Sequence, residues 1–152
     1  MAFLKCLLYL LISGICVFLL GRIFPRKWIT ENSFPFKSFS FEKNGKIYEK
    51  IGIKRWKTKL PDASLILYRF IPKLMPKKRL KVGEKEKISV LVKETCVAET
   101  THFLAAVMGL YCAKIWRGGG LILSLLYFIW NLPFVLIQRY NRPRLIRVCA
   151  LT

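Results

Sequence analysis

His102 is the only histidine of the chain, and it follows Glu99 by three residues and Glu94 by eight. In a continuous helix at about 100° per residue, Glu99 falls about 60° to one side of His102 and Glu94 about 80° to the other, so all three can face one cavity. An imidazole shielded from water beside a carboxylate can serve as a general base toward a hydroxyl. The plainer reading leaves Glu94 and Glu99 in water at the end of a membrane span, with His102 at the interface. The Glu-x-x-His step also supplies ligands in di-iron helical bundles. Such bundles need a second motif of that kind and this chain has no second histidine, so neither a metal nor another cofactor is expected.

A second polar cluster runs Gln138-Arg139-Tyr140-Asn141-Arg142-Pro143-Arg144. Three arginines in six residues could grip phosphates or a carboxylate bidentately. The competing reading is a stop-transfer patch set against lipid headgroups. Trp56 and Lys57, with Leu60-Pro61-Asp62, make a smaller cluster, although Trp at a membrane interface is ordinary. Several enzyme signals are absent: a GxSxG elbow, a GxGxxG turn, and the lysine and hydroxyl of a P-loop after Gly118-Gly119-Gly120. His102 also lacks the following Asp found in soluble HxxxxD glycerolipid acyltransferases.

The elements that must position these residues are set by the segregation of apolar and basic residues. Apolar residues make up 54% of the 152, yet 27 Lys and Arg against 8 Asp and Glu give a net charge of +19. Unpaired charges are rarely buried, so the two populations must occupy separate stretches. Three apolar runs result, at about 3–20, 97–116 and 121–138, each near or above the length needed to cross a bilayer core. The first is read as a retained span, because Gly21-Arg22-Ile23-Phe24-Pro25 makes a poor signal-peptidase site. Pro133 inside the third predicts a kink. Lys114 to Gly120 predicts a tight turn that makes the second and third runs a membrane hairpin.

Twenty of the 27 basic residues lie between Arg22 and Lys93, and four more, Arg139, Arg142, Arg144 and Arg147, follow the third run. The positive-inside rule then places the segment 22–93 and the C-terminus in the cytoplasm, with the N-terminus and the hairpin turn outside. So basic a segment suits nucleic acid or an anionic lipid surface. Its place between spans, without any nucleic-acid signature, favours the membrane and no nucleic acid. Within it, Lys46 to Leu60 predicts an amphipathic surface helix ended by Pro61-Asp62, and Asn44-Gly45 offers a competing hairpin over Ser40 to Lys50. Pro72 to Val82 reads as a basic loop. From Glu84 a helix should lead straight into the second span. Cys6, Cys16, Cys96, Cys112 and Cys149 form no CxxC pair and read as small hydrophobes. The expected fold is an all-α membrane protein with about three transmembrane helices plus a basic amphipathic interfacial segment. It forms a single integral membrane domain over 1–152.

The stretches Phe36-Lys37-Ser38-Phe39, Phe41-Glu42-Lys43, Arg55-Trp56-Lys57, Glu94-Thr95, Ala98-Glu99 with His102, and Gln138 to Leu145 occur in an order and spacing that resembles the glycosyl-4,4'-diaponeurosporenoate acyltransferase family, which acts in staphyloxanthin biosynthesis. The string QRYNRPRL is its most specific part. The chain departs from the family pattern in its short tail after Leu145 and between Ala63 and Val82. The resemblance implies a membrane-bound O-acyltransferase that esterifies a sugar hydroxyl of a glycosylated carotenoid, or related glycolipid, with a fatty acyl chain. A lipid acyl donor carrying phosphates, such as acyl-CoA, would suit the arginines. On this reading His102 takes the hydroxyl proton, and Glu99 or Glu94 orients the imidazole. Arg139, Arg142 and Arg144 bind the donor or the developing negative charge, Asn141 donates to the oxyanion, and Trp56 and Lys57 help bind substrate. The reading from another class is a non-enzymatic membrane protein, an assembly factor or lipid-binding subunit. A transporter of three spans would have to oligomerise, and oligomeric state is left open.

Overall fold

A computed structural model describes residues 1–60 and 85–151. Six α-helices are present among them: α1 (Ala2–Ile23), α2 (Lys46–Lys50), α3 (Ile53–Trp56), α4 (Lys85–Gly109), α5 (Cys112–Ile115) and α6 (Gly120–Leu151). No strand occurs among the described residues. The chain divides into two units, Met1–Phe24 with Val97–Leu136, and Pro25–Cys96 with Ile137–Thr152.

The first unit follows from hydrophobicity that covers its helices on all sides. Along α1, Leu4, Leu8, Leu11, Ile12, Leu19 and Leu20 are exposed, and only Cys6, Leu10, Ser13 and Val17 are buried. Those four recur at intervals of four, three and four residues, a single helical stripe. A helix apolar on its exposed sides is one that lipid, rather than water, surrounds. The helix Ala2–Ile23, the stretch Lys85–Ile115 and the helix Gly120–Leu151 are all long and apolar enough to cross a membrane. The buried stripe packs Cys6 and Leu10 against Cys112, flanked by Tyr9, Ile115, Trp116, Leu123 and Tyr127. Tyr9 donates its hydroxyl to the Met108 carbonyl at 3.0 Å, and Ser124 does so to the Gly109 carbonyl at 2.9 Å.

The predicted turn between the second and third runs is present, with α5 leading into it. Its tightness needs Gly120, because a side-chain carbon there would run into the Cys112 carbonyl. The third helix is longer than its apolar run. It continues past Gln138 to Leu151 and carries both Pro133 and Pro143 within it. The arginine cluster therefore sits on a helix rather than on a tail.

The second unit holds 3-10 turns at Arg26–Trp28 and Ser40–Gly45, together with α2 and α3. Buried Ile29, Tyr48, Ile53, Ile88, Val92, Cys96 and Tyr140 make up its apolar interior. The single helix expected over Lys46 to Leu60 is broken. Gly52 has φ +71 and separates α2 from α3, so the amphipathic segment consists of two short helices. Nor does Asn44-Gly45 close a hairpin. Lys43, Asn44 and Gly45, at φ 47, 54 and 90, turn the chain from the 3-10 segment into α2. The helix expected to lead into the second span is α4. The expected stop at Pro61-Asp62 and the basic loop Pro72 to Val82 lie outside the described residues.

Candidate active site

In the first unit, α4 presents His102 and α6 presents Asn131, 3.1 Å apart between Nδ1 and Oδ1. Asn131 donates its Nδ2 to the Tyr127 carbonyl, one turn back on its own helix, at 2.9 Å. That bond fixes the amide so that its oxygen faces the imidazole. An amide oxygen only accepts, so the neutral ring carries its hydrogen on Nδ1 and its lone pair on Nε2. The ring also stacks on Phe134, with centroids 4.7 Å apart and planes 11° from parallel. A half-buried imidazole held on one edge and one face, with Nε2 as the basic atom, is the geometry of a general base. Asn131 is 5% exposed, so this contact is shielded from water. Glu99 lies in the same unit one turn before His102 and is also buried.

In the second unit the dominant feature is a buried ion pair between Glu42, at the 3-10 turn, and Arg139 on α6. Arg139 donates Nε to Glu42 Oε1 at 2.5 Å and Nη2 to Oε2 at 3.1 Å. It also donates to the carbonyls of Pro35 and Lys37 and lies over the Phe39 ring. Glu42 further accepts from Ser38 Oγ, the Phe39 amide and the Tyr48 hydroxyl. Burial alone would raise the Glu42 carboxyl, but Arg139, Tyr48 and the Phe39 amide outweigh it and hold it below the ordinary value. Burial first, and then Glu42, push the Tyr48 hydroxyl upward, so it stays a donor. Arg142, 2% exposed, donates to Thr95 Oγ1 at 3.0 Å and to the Phe36 carbonyl at 2.7 Å. Arg139 and Arg142 both line a cleft of about 270 Å³, together with Glu31, Lys37, Glu42, Asn44 and Arg147.

A third arrangement centres on Tyr140, whose side chain is fully buried. Lys57 and Arg144 both lie over its ring, at 4.9 and 5.0 Å from the centroid. Lys57 donates to Asn141 Oδ1 at 3.3 Å, and Tyr140 to Glu49 Oε1 at 3.4 Å. Burial, then Arg144 and Lys54, lower the Lys57 ammonium. Glu49, paired with Lys54 at 3.0 Å, offsets part of the like charge gathered around the ring.

The residues singled out from sequence therefore fall into distinct sets. Lys57, Asn141 and Arg144 gather at Tyr140, while Arg139 and Arg142 line the cleft. Trp56 donates its indole N–H to the Ile51 carbonyl at 3.1 Å, across the Gly52 break. Glu94 is paired with Arg26 at 2.7 Å in the second unit. Sequence reasoning did not assign roles to Asn131, Glu42, Tyr48 or Tyr140. Asn131 lies inside the third apolar run, and a polar residue at membrane depth is a functional signal in itself. Among the described residues no three of His, Cys, Asp and Glu gather as a metal site would need.

Residues 25–151 match the family model described as glycosyl-4,4'-diaponeurosporenoate acyltransferase. Similar proteins bearing that name come from Staphylococcus aureus. The chain is 30% identical over 141 residues to the protein of strain bovine RF122 / ET3-1, and 31% identical over 144 residues to that of strain N315. Each comparison covers 92% of this chain and 83% of the relative. No solved structure matches. The match over residues 25–151, supported by these two comparisons, places the chain in the glycosyl-4,4'-diaponeurosporenoate acyltransferase family.

Proposed function

We propose that this chain is a membrane-bound O-acyltransferase that esterifies a sugar hydroxyl of a glycosylated carotenoid, or a related glycolipid, with a fatty acyl chain. The observation that carries the reading is the His102–Asn131 contact, a base held in one tautomer within a member of this family. His102 Nε2 takes the proton as the sugar oxygen attacks the acyl carbonyl, and returns it to the leaving group as the tetrahedral intermediate collapses. Glu99 stabilises the imidazolium formed in between. Glu94, held by Arg26, positions the middle of α4 ahead of His102. Lys57 and Arg144 meet the phosphates of the donor, with acyl-CoA a donor of suitable chemistry. Asn141 holds Lys57 in place, and Trp56 helps bind substrate beside it. Arg139, neutralised by Glu42, fixes the wall of the cleft, and Arg142 with Lys37 and Arg147 gives it the charge to receive the anionic part of the donor.

The distribution of basic residues supports a multi-pass arrangement in the cell membrane, with the segment 22–93 and the C-terminus cytoplasmic. The test compares lipid and pigment extracts by mass spectrometry. A deletion strain, the wild type, and the deletion strain complemented with wild-type or His102→Ala protein at matched membrane levels are the samples. One fatty-acyl mass should vanish from a glycolipid or glycosyl carotenoid in the deletion and His102→Ala strains. Matching extracts from all strains, with the gene expressed, would overturn the enzyme reading in favour of a non-enzymatic membrane subunit.

A further inference from the structure

Two cysteines that the proposed chemistry does not use approach each other in the first unit. Cys6 lies near the start of α1 and Cys112 opens α5, 106 residues later, and both are fully buried. Cys6 Sγ lies 3.7 Å from the Cys112 carbonyl oxygen, and Cys112 Sγ lies 3.9 Å from the Cys6 carbonyl oxygen. Each thiol thus donates to the other residue's carbonyl, a reciprocal pair that sets each sulfur beside the other's backbone. The other three cysteines are placed differently: Cys16 is exposed, and Cys96 and Cys149 belong to the second unit.

The neighbouring charges say where along the membrane normal this pair lies. Lys5 adjoins Cys6, and Lys114 and Arg117 follow Cys112 within five residues. Basic side chains in an otherwise apolar helix mark the interface rather than the bilayer centre. On the orientation proposed above, that interface faces away from the cytoplasm, on the side where disulfides persist. Cys6 also precedes residues 25–151, which the family model covers, so family membership does not imply this pairing.

We infer that Cys6 and Cys112 form a disulfide that ties the first span to the hairpin turn. Each thiol loses one proton and one electron as the Sγ–Sγ bond forms. The two electrons and two protons pass through a membrane thiol oxidase to a quinone, which becomes the quinol. The cross-link fastens α1 to the turn that precedes α6, the helix carrying Asn131. The pairing rests on the geometry, and its oxidised state rests on the proposed orientation.

Membranes from acid-quenched cells are denatured in SDS with excess N-ethylmaleimide, then reduced and treated with a polyethylene-glycol maleimide. The wild type should gain two polyethylene-glycol adducts after reduction and none without it. Cys6→Ser and Cys112→Ser should each abolish both adducts, and Cys16→Ser and Cys149→Ser should keep them. No adduct on the wild type overturns the proposal. Oxidation of native membranes with copper phenanthroline then locates the fault. Cross-linking under that treatment shows that the sulfurs are neighbours and that the orientation was wrong. No cross-linking shows that the pairing itself was wrong.

Discussion

Arg139 meets Glu42 through two parallel hydrogen bonds, 97 residues apart in sequence, with side chains only 10% and 2% exposed. A bidentate pair of this kind costs a great deal to break on one side, because the remaining charge stays buried without its partner. Glu42→Ala or Arg139→Ala should each destabilise the protein by about 3–5 kcal/mol. Arg139→Lys should recover little, since an ammonium cannot reproduce the fork that also reaches the Pro35 and Lys37 carbonyls. Thermal unfolding of detergent-purified variants checks both. A double Glu42→Gln, Arg139→Gln variant should lose less than the sum of the singles, because neither leaves a charge behind.

The same pair sets an acid limit on stability. The Glu42 carboxyl is held below its ordinary value of 4.5 in the fold, so the folded state favours the ionised form. That contribution is complete above this ordinary, unfolded value. It fades as pH falls from there through the lower folded value. Glu49 shifts the same way through Lys54, but it is exposed to solvent, where screening leaves little effect. The unfolding temperature of the wild type should therefore hold steady above about pH 5 and fall below about pH 4.5. In Glu42→Gln it should start lower and change less with acid. A wild-type curve with the same slope as Glu42→Gln below pH 4.5 would contradict this assignment.

Much of this architecture was legible in the residues. Three apolar runs with almost no charge read as spans, and each falls on a helical stretch long and apolar enough to cross a membrane; the hairpin turn follows from three glycines between two of them. The end of the third helix was not legible. Arg139 to Arg147 is too polar for a span, and Pro143 argues for a stop. Yet the helix continues because Arg139, Tyr140 and Arg142 are anchored by Glu42, Glu49 and Thr95 from distant parts of the chain. The break at Gly52 was hidden for the opposite reason. Apolar periodicity over Lys46 to Leu60 speaks for one helix, and a glycine's choice of positive φ leaves no periodic trace. Of the candidate site, His102 was visible as the only histidine of the chain, set in an apolar run one turn past Glu99. Its contact with Asn131, 29 residues away, is set by how α4 and α6 pack, and side-chain spacing along one helix does not report that.

Lys57 allows binding to be separated from stability. Burial and the nearby Arg144 and Lys54 lower its ammonium, so the empty fold works against that charge at neutral pH. Lys57→Gln should leave the unfolding temperature unchanged or slightly higher. The same change should raise the KM for a phosphate-bearing acyl donor about tenfold, the loss of one charge-assisted contact. Adding acyl-CoA should stabilise the wild type more than Lys57→Gln. Equal stabilisation of both proteins would place the donor phosphates elsewhere.

The His102–Asn131 contact makes the sharpest kinetic prediction. If Nε2 is the base, His102→Ala and His102→Gln must both fail, because glutamine fills the space but carries no basic nitrogen. Both should lower kcat about 10²–10⁴-fold with KM nearly unchanged. Activity retained in His102→Gln but lost in His102→Ala would assign the ring a packing role against Phe134. Asn131→Leu is close to the same size and suits an apolar helix, so α6 should survive it. It removes the acceptor that keeps the ring hydrogen on Nδ1, and the imidazole is then free to turn its hydrogen-bearing nitrogen toward the hydroxyl. The expected result is a kcat about ten- to a hundredfold below wild type at unchanged KM and unchanged unfolding temperature. A wild-type kcat in Asn131→Leu would mean that the amide holds the two helices together and has no part in orienting the base.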